Sequence, residues 1–177
     1  MFSLDRIGPS PGLPKLVSTD KLTPEDFAKL AAGLGIKPFK ARKTGFVSVR
    51  VAAKHETIET LWNGKESSGV AEPGDKIVTN MSVARQILRD GAGHANTYVI
   101  AAAKFPDLYE PDEGKTEFGD IYRARGHVEA LYVAGGFEIL APWGETQRAN
   151  AGYILFNGTD VYGNNKETFE RTYRQER

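Results

Sequence analysis

The 177-residue chain has no cysteine, no net charge and no long apolar run, and each absence closes a class of explanation. Without cysteine there is no disulfide framework, no thiolate zinc site and no cysteine nucleophile, and nothing marks an oxidising compartment. Lys+Arg and Asp+Glu number 23 each, so the chain lacks the basic excess by which proteins coat nucleic acid or anionic lipid non-specifically. A local basic patch stays open. No stretch approaches the about 18 apolar residues of a membrane span, and Met1-Phe2-Ser3-Leu4-Asp5 lacks the basic and apolar regions of a secretory signal. The expectation is a soluble cytoplasmic protein with no membrane partner. With 40% hydrophobic residues and 10% aromatics the chain can fill a core, and 19 Gly and 9 Pro imply many turns.

Residues 1–22 carry Pro9, Pro11 and Pro14 with Gly8 and Gly12, a composition that favours extended backbone and reads as an arm. Thr23-Pro24-Glu25-Asp26 is a helix start, with Thr23 able to cap, Pro24 at the first helical position and two acids suited to the dipole. Phe27, Leu30, Ala31 and Leu34 then recur at helical spacing, and Gly35 supplies the stop. From Phe39 onward the pattern turns to short strands. Val47, Val49 and Val51 alternate, and Ile77-Val78, Tyr98-Val99-Ile100, Tyr132-Val133 and Tyr153-Ile154-Leu155-Phe156 are β-prone runs. Asp90-Gly91 suits a hairpin loop. Pro111-Asp112-Glu113-Gly114-Lys115 reads as a polar linker.

The two halves of this β-rich body resemble each other. Phe39-Lys40-Ala41-Arg42 is answered by Tyr122-Arg123-Ala124-Arg125. Trp62 follows Phe39 by 23 positions and Trp143 follows Tyr122 by 21. Gly74-Asp75-Lys76-Ile77-Val78-Thr79-Asn80 has its counterpart in Ala151-Gly152-Tyr153-Ile154-Leu155-Phe156-Asn157. Tyr98, Phe105 and Tyr109 step by 7 and then 4, as do Tyr162, Phe169 and Tyr173. The segment from Met81 to Thr97 has only Gly158-Thr159-Asp160-Val161 opposite it, an insertion of the kind that sits in surface loops.

Pro73-Gly74-Asp75-Lys76-Ile77 with Phe105/Tyr109, and Gly152-Tyr153-Ile154 with Phe169/Tyr173, resemble the small domain family named for its PGDYG motif and kindred phage and prophage domains. Lys76 stands where the motif has Tyr, and the second copy lacks the Pro and the Asp. The resemblance spans roughly residues 39–177 and implies no activity, because the family has none assigned.

The expected architecture is α+β: a Pro-rich arm and amphipathic helix over 1–37, a first β-rich unit over 38–111, a linker over 112–120 and a second unit with a C-terminal helix over 121–177. Asp75 is read first as a turn-closing side chain, with acid catalysis or metal ligation as the sharper alternative. Asn80 and Asn157 are read as closing turns. The i,i+4 rings Phe105/Tyr109 and Phe169/Tyr173 are expected on one helix face, with Asn165 as the cap of a helix running to about Gln175. Lys40/Arg42 and Arg123/Arg125 each share a strand face and are the candidate ligand-binding residues, with Trp62 and Trp143 as pocket rims. His127 and Glu129 share a strand face in a pattern similar to fragments of cupin or deaminase signatures, but the ligand count falls short. His94 lies in the inserted loop.

No cofactor or metal site is predicted. The leading expectation is a non-enzymatic module that recognises a small anionic ligand or a protein partner at the cleft between the two units. The alternatives are a metal-dependent or acid/base enzyme using His127 and Glu129 with Asp75 or His94, and a nucleic-acid reader using Lys40, Arg42, Arg123 and Arg125.

Overall fold

In the computed structural model, which describes residues 2–5, 14–62 and 65–176, strand pairing dominates, as the β-prone runs require. The chain runs through β1 (Phe2–Asp5), β2 (Lys15–Lys21), α1 (Pro24–Leu34), β3 (Phe39–Lys43), β4 (Phe46–Val51), β5 (Glu56–Leu61) and β6 (Lys65–Ala71). It continues through β7 (Lys76–Asn80), β8 (Thr97–Ile100), α2 (Phe105–Leu108), β9 (Tyr109–Thr116), β10 (Gly119–Ala124) and β11 (Val128–Val133). The last stretch holds β12 (Phe137–Leu140), β13 (Thr146–Ala149), β14 (Gly152–Phe156), β15 (Val161–Asn165), α3 (Lys166–Thr172) and β16 (Tyr173–Gln175). The described residues form a β-rich α+β arrangement with three short helices. Among the described residues no helix is long and apolar enough to cross a membrane.

Two compact units divide the chain, and the cut differs from the tandem boundaries expected. One unit is Met1–Arg42 with His127–Glu170 and Arg174–Arg177; the other is Lys43–Gly126 with Arg171–Tyr173. The first carries a five-stranded sheet in the order β15-β14-β11-β3-β16 and a four-stranded sheet in the order β1-β2-β12-β13. Leu16, Phe27, Leu30, Leu131, Val133, Phe137, Ile139 and Ile154 bury themselves in its core. Helix α1 reaches that core through Phe27, Leu30 and Ala31 and is fixed at both ends. The Asp26 main-chain N–H donates to the Thr23 hydroxyl and the Thr23 N–H donates to the Asp26 carboxylate, while Gly35 takes a φ of 66°. Reciprocal caps of this type stabilise by about 1 kcal/mol.

The second unit holds a five-stranded sheet in the order β8-β7-β4-β10-β9 and the separate β5-β6 hairpin. One sheet face carries Val47, Val49 and Val78 under Phe105 and Tyr109, with Tyr98 and Tyr122 against them. Its other face sets Ile77 and Val99 with Ala52, Ala71 and Ile58.

Three expectations give way here. The arm is not wholly an arm, because residues 2–5 and 15–21 pair as antiparallel strands; Pro9, Pro11, Gly8 and Gly12 lie outside the described residues. The linker expected over 112–120 is instead the hairpin of β9 and β10. Its polar composition is that of an edge strand, where Pro111 forfeits no ladder bond that a central strand would need. Both helices end earlier than the ring spacing implies, so that Tyr109 and Tyr173 begin β9 and β16. Asn165 does cap α3, its side chain accepting from the Thr168 N–H at 2.8 Å.

Gly119 and Gly35 both have positive φ, of 125° and 66°, but they differ in surroundings. A methyl group on Gly119 would press into the Val49 carbonyl of the neighbouring strand, whereas nothing lies near Gly35. Gly35→Ala is therefore expected to lose about 1 kcal/mol and Gly119→Ala about 3 kcal/mol or more, read by urea denaturation. Equal small losses would contradict the β4–β10 register.

Candidate functional site

The Lys43–Gly126 unit gathers one lysine, two tyrosines and two asparagines at the rim of its apolar face. Lys43 ends β3, and the corner after it is held from two sides. The main-chain N–H groups of Thr44 and Gly45 both donate to the Thr172 carbonyl, at 2.8 and 3.2 Å. Gly45 is required by close approach, because a side-chain carbon there would meet the Met81 carbonyl. Asn80 ends β7 and shares a face with Val78, two residues away. Tyr98 lies opposite Val78 on β8, and Tyr109 opens β9 directly after α2. Three strands and a corner thus aim polar ends at one point.

That point is the Lys43 amine. Nζ donates to Asn80 Oδ1 at 2.6 Å, to the Tyr109 hydroxyl at 2.8 Å and to the Tyr98 hydroxyl at 3.2 Å. The rings of Tyr109, Tyr98 and Tyr173 lie 5.3, 5.8 and 5.9 Å from it. The residue as a whole keeps part of its surface in solvent, but its ammonium end is withdrawn from water. Ring faces and phenolic oxygens favour a cation, yet none carries a full negative charge. Desolvation wins, and it draws the Lys43 amine down from the ordinary lysine range to about 7.

The network continues into the inserted loop. Asn80 Nδ2 donates to Asn96 Oδ1 at 2.6 Å, and the Asn80 N–H donates to the Asn96 carbonyl at 2.9 Å. Leu88 N–H in turn donates to the Asn80 carbonyl and Asn96 N–H to the Leu88 carbonyl. Further along the loop the buried Asp90 carboxylate accepts from the N–H groups of Ala92 and His94 and holds His94 Nδ1 at 3.0 Å. Asn80 is therefore not the turn-closer expected of it. Asn157 is one, accepting from the N–H groups of Thr159 and Asp160.

The other candidates fall into place separately. Asp75 closes its turn with one oxygen, accepting from Glu72 N–H, and takes Ala102 N–H with the other, which is the first reading made of it. His127 precedes β11 rather than sharing the strand with Glu129, and its Nδ1 meets Glu176 at 2.7 Å. Among the described residues no group of three or more His, Asp or Glu side chains could hold a metal.

Lys40 and Arg42 flank the fully buried Ala41 and are exposed in one unit. Arg123 and Arg125 belong to the other unit and are both engaged. Arg123 pairs with Glu110 at 2.8 Å and approaches Asp112 at 3.7 Å, and Arg125 donates to the Pro106 carbonyl. Trp62 is 6% exposed, with the Arg171 guanidinium over its ring at 5.8 Å. Trp143 is 44% exposed and lies 5.7 Å from the Tyr162 ring. Burial pushes the nearby Glu145 carboxyl up, and hydrogen bonds from Trp143 and Gln147 partly offset it.

Sequence reasoning marked Tyr98 and Tyr109 only as repeated rings, and missed Lys43 and Asn96 altogether. A lysine beside Lys40-Ala41-Arg42 carries no signal of its own. The hint available was that the Asn, Tyr and Tyr of both halves are polar at their tips and recur together.

The unfolded Lys43 amine has an ordinary pKa near about 10.4, and the folded one lies near 7. Between these values the unfolded chain holds more protons, so this group's contribution to stability rises with pH through that window. From pH 6 to pH 9 the melting temperature of the native chain should gain about 5–10 °C relative to Lys43→Met. A constant difference across that range would contradict the desolvation. Comparison with protein-family models, with curated proteins and with solved structures gives no match, and the functional reading is drawn from this geometry.

Proposed function

We propose that the chain is a binding module whose recognition site for a small anionic ligand is the Lys43 cluster. The observation that carries the reading is the desolvated amine between two phenolic hydroxyls. An anion reaching that rim would take hydrogen bonds from the Lys43 ammonium in exchange for those it now gives Asn80, Tyr98 and Tyr109. It also supplies a negative charge, which none of Asn80, Tyr98 and Tyr109 carries. Arg123 and Arg125, the basic residues first singled out in this unit, support a ligand less well because acids and a carbonyl already occupy them. One observation favours a second reading, acid/base chemistry at His94, because the buried Asp90 orients its ring.

The proposal extends to duplication. In each five-stranded sheet a central strand, β11 or β4, is followed along the sheet by a hairpin, β14-β15 or β7-β8, and on its other side by an aromatic-basic-Ala strand, β3 or β10. Leu155 pairs with Tyr162 as Val78 pairs with Tyr98. Phe39 meets Phe169 edge-on as Tyr122 meets Phe105. The aromatic-basic-Ala strand of each sheet comes from the segment that precedes the other sheet's central strand, so the two copies have exchanged it. Kinship with the PGDYG-motif family belongs to this reading, supported by Asp75 closing the turn in Pro73-Gly74-Asp75. Asn157, Tyr162 and Tyr173 match Asn80, Tyr98 and Tyr109, but the position matching Lys43 is Gly126. The scaffold is repeated and the amine is not, which fits a binding role added to one copy.

An anion that binds the charged amine must take up a proton when the amine is neutral. Calorimetry with sulfate and with acetate should show binding about tenfold or more tighter at pH 6 than at pH 8.5. Lys43→Met should abolish it, and Lys43→Arg should retain binding without the pH dependence, since guanidinium stays charged. Binding that survives Lys43→Met unchanged would remove the proposal.

A further inference from the structure

The Lys43 amine is held where carbonyl chemistry needs it. Imine formation requires an amine with a free electron pair, a donor beside it to polarise the carbonyl oxygen, and a proton source to release that oxygen as water. An exposed lysine meets none of these well, because ordinary pKa values leave only about one amine in a thousand neutral at pH 7. Lys43 has its amine near neutrality and hydroxyls of Tyr109 and Tyr98 at 2.8 and 3.2 Å, on a residue that keeps part of its surface in solvent.

Resting on the anion-binding reading above, we infer that the ligand class of this site is a small oxo acid, captured as an imine on Lys43 between the Tyr98 and Tyr109 hydroxyls. The Nζ electron pair forms a bond to the carbonyl carbon while the C=O π pair moves to oxygen, which takes a proton from the amine. The resulting carbinolamine loses its hydroxyl as water, using a proton from the Tyr109 hydroxyl, as the nitrogen pair closes the C=N bond. The iminium N–H then returns a proton to the Tyr109 oxygen. Amine and carbonyl have become imine and water, with no oxidant or further reactant. The carboxylate of the oxo acid takes the place of the anion, with the Tyr98 hydroxyl and the protonated form of the imine as its partners. Asn80, tied to Asn96 on its far side, fixes the amine in the absence of ligand.

Glyoxylate, an aldehyde acid, and glycolate, its counterpart without the carbonyl, separate the two claims. The full chain is incubated with glyoxylate and cyanoborohydride at pH 7, and each lysine is read as its carboxymethyl product by peptide mass spectrometry. Lys43 is expected to react about tenfold or more faster than the other lysines, with Tyr109→Phe slowing it several-fold, and glycolate is expected to bind and to slow the labelling. If glycolate binds but Lys43 reacts no faster than the other lysines, imine capture is overturned and the anion site stands. If Lys43 is labelled selectively but glycolate, sulfate and acetate do not bind, capture stands and the anion reading falls. Neither binding nor selective labelling overturns both.

Discussion

One ammonium withdrawn from water sets the terms for the Lys43–Gly126 unit. A charge in that position needs either a counter-charge or several good hydrogen bonds, and among the described residues Lys43 has the latter, from Asn80, Tyr98 and Tyr109. Each partner is bound to a different piece of backbone. Asn80 ends a central strand and laces the inserted loop to it, Tyr98 sits on the edge strand beside it, and Tyr109 follows the short helix α2. Meeting the needs of one amine therefore locks a corner, a hairpin, a loop and a helix end together. The amine pays for this by losing its charge near neutrality.

The rest of that unit is built so that this polar knot can sit on apolar ground. Val47, Val49, Val78 and Phe105 pack with Tyr109 and Tyr98, the two rings whose hydroxyls meet Nζ. Low dielectric strengthens the hydrogen bonds of the knot while penalising its charge. In the proposed site, the same property that depresses the amine would make an arriving anion worth more than at the exposed Lys40 or Arg42. In the proposed duplication the second copy keeps the asparagine and both tyrosines but has Gly126 in place of the lysine, so its matching corner carries no comparable requirement.

What was legible in the sequence was local. The caps of α1 at Thr23 and Gly35, the cap of α3 at Asn165 and the turn role of Asp75 each depend on residues within a few positions, and each stands as read. What failed depends on pairing between distant segments. Residues 112–116 read as a linker because their composition is polar, but an edge strand exposes one side and tolerates that composition. His127 and Glu129 were placed on one strand by spacing, and the strand begins one residue too late while Glu176 arrives from the far end of the chain. Lys43 was illegible for the same reason. Its partners lie 37, 55 and 66 residues away, and nothing in its neighbours announces that three separate elements converge on it.

The site depends on the state of one amine, which can be observed without any ligand. With lysine labelled at 13Cε, the carbon resonances report the titration of every amine in the folded chain. One resonance is expected to titrate near pH 7 and to disappear in Lys43→Arg. If every lysine resonance of the folded native chain titrates above about pH 9.5, in the ordinary lysine range, the central claim is contradicted.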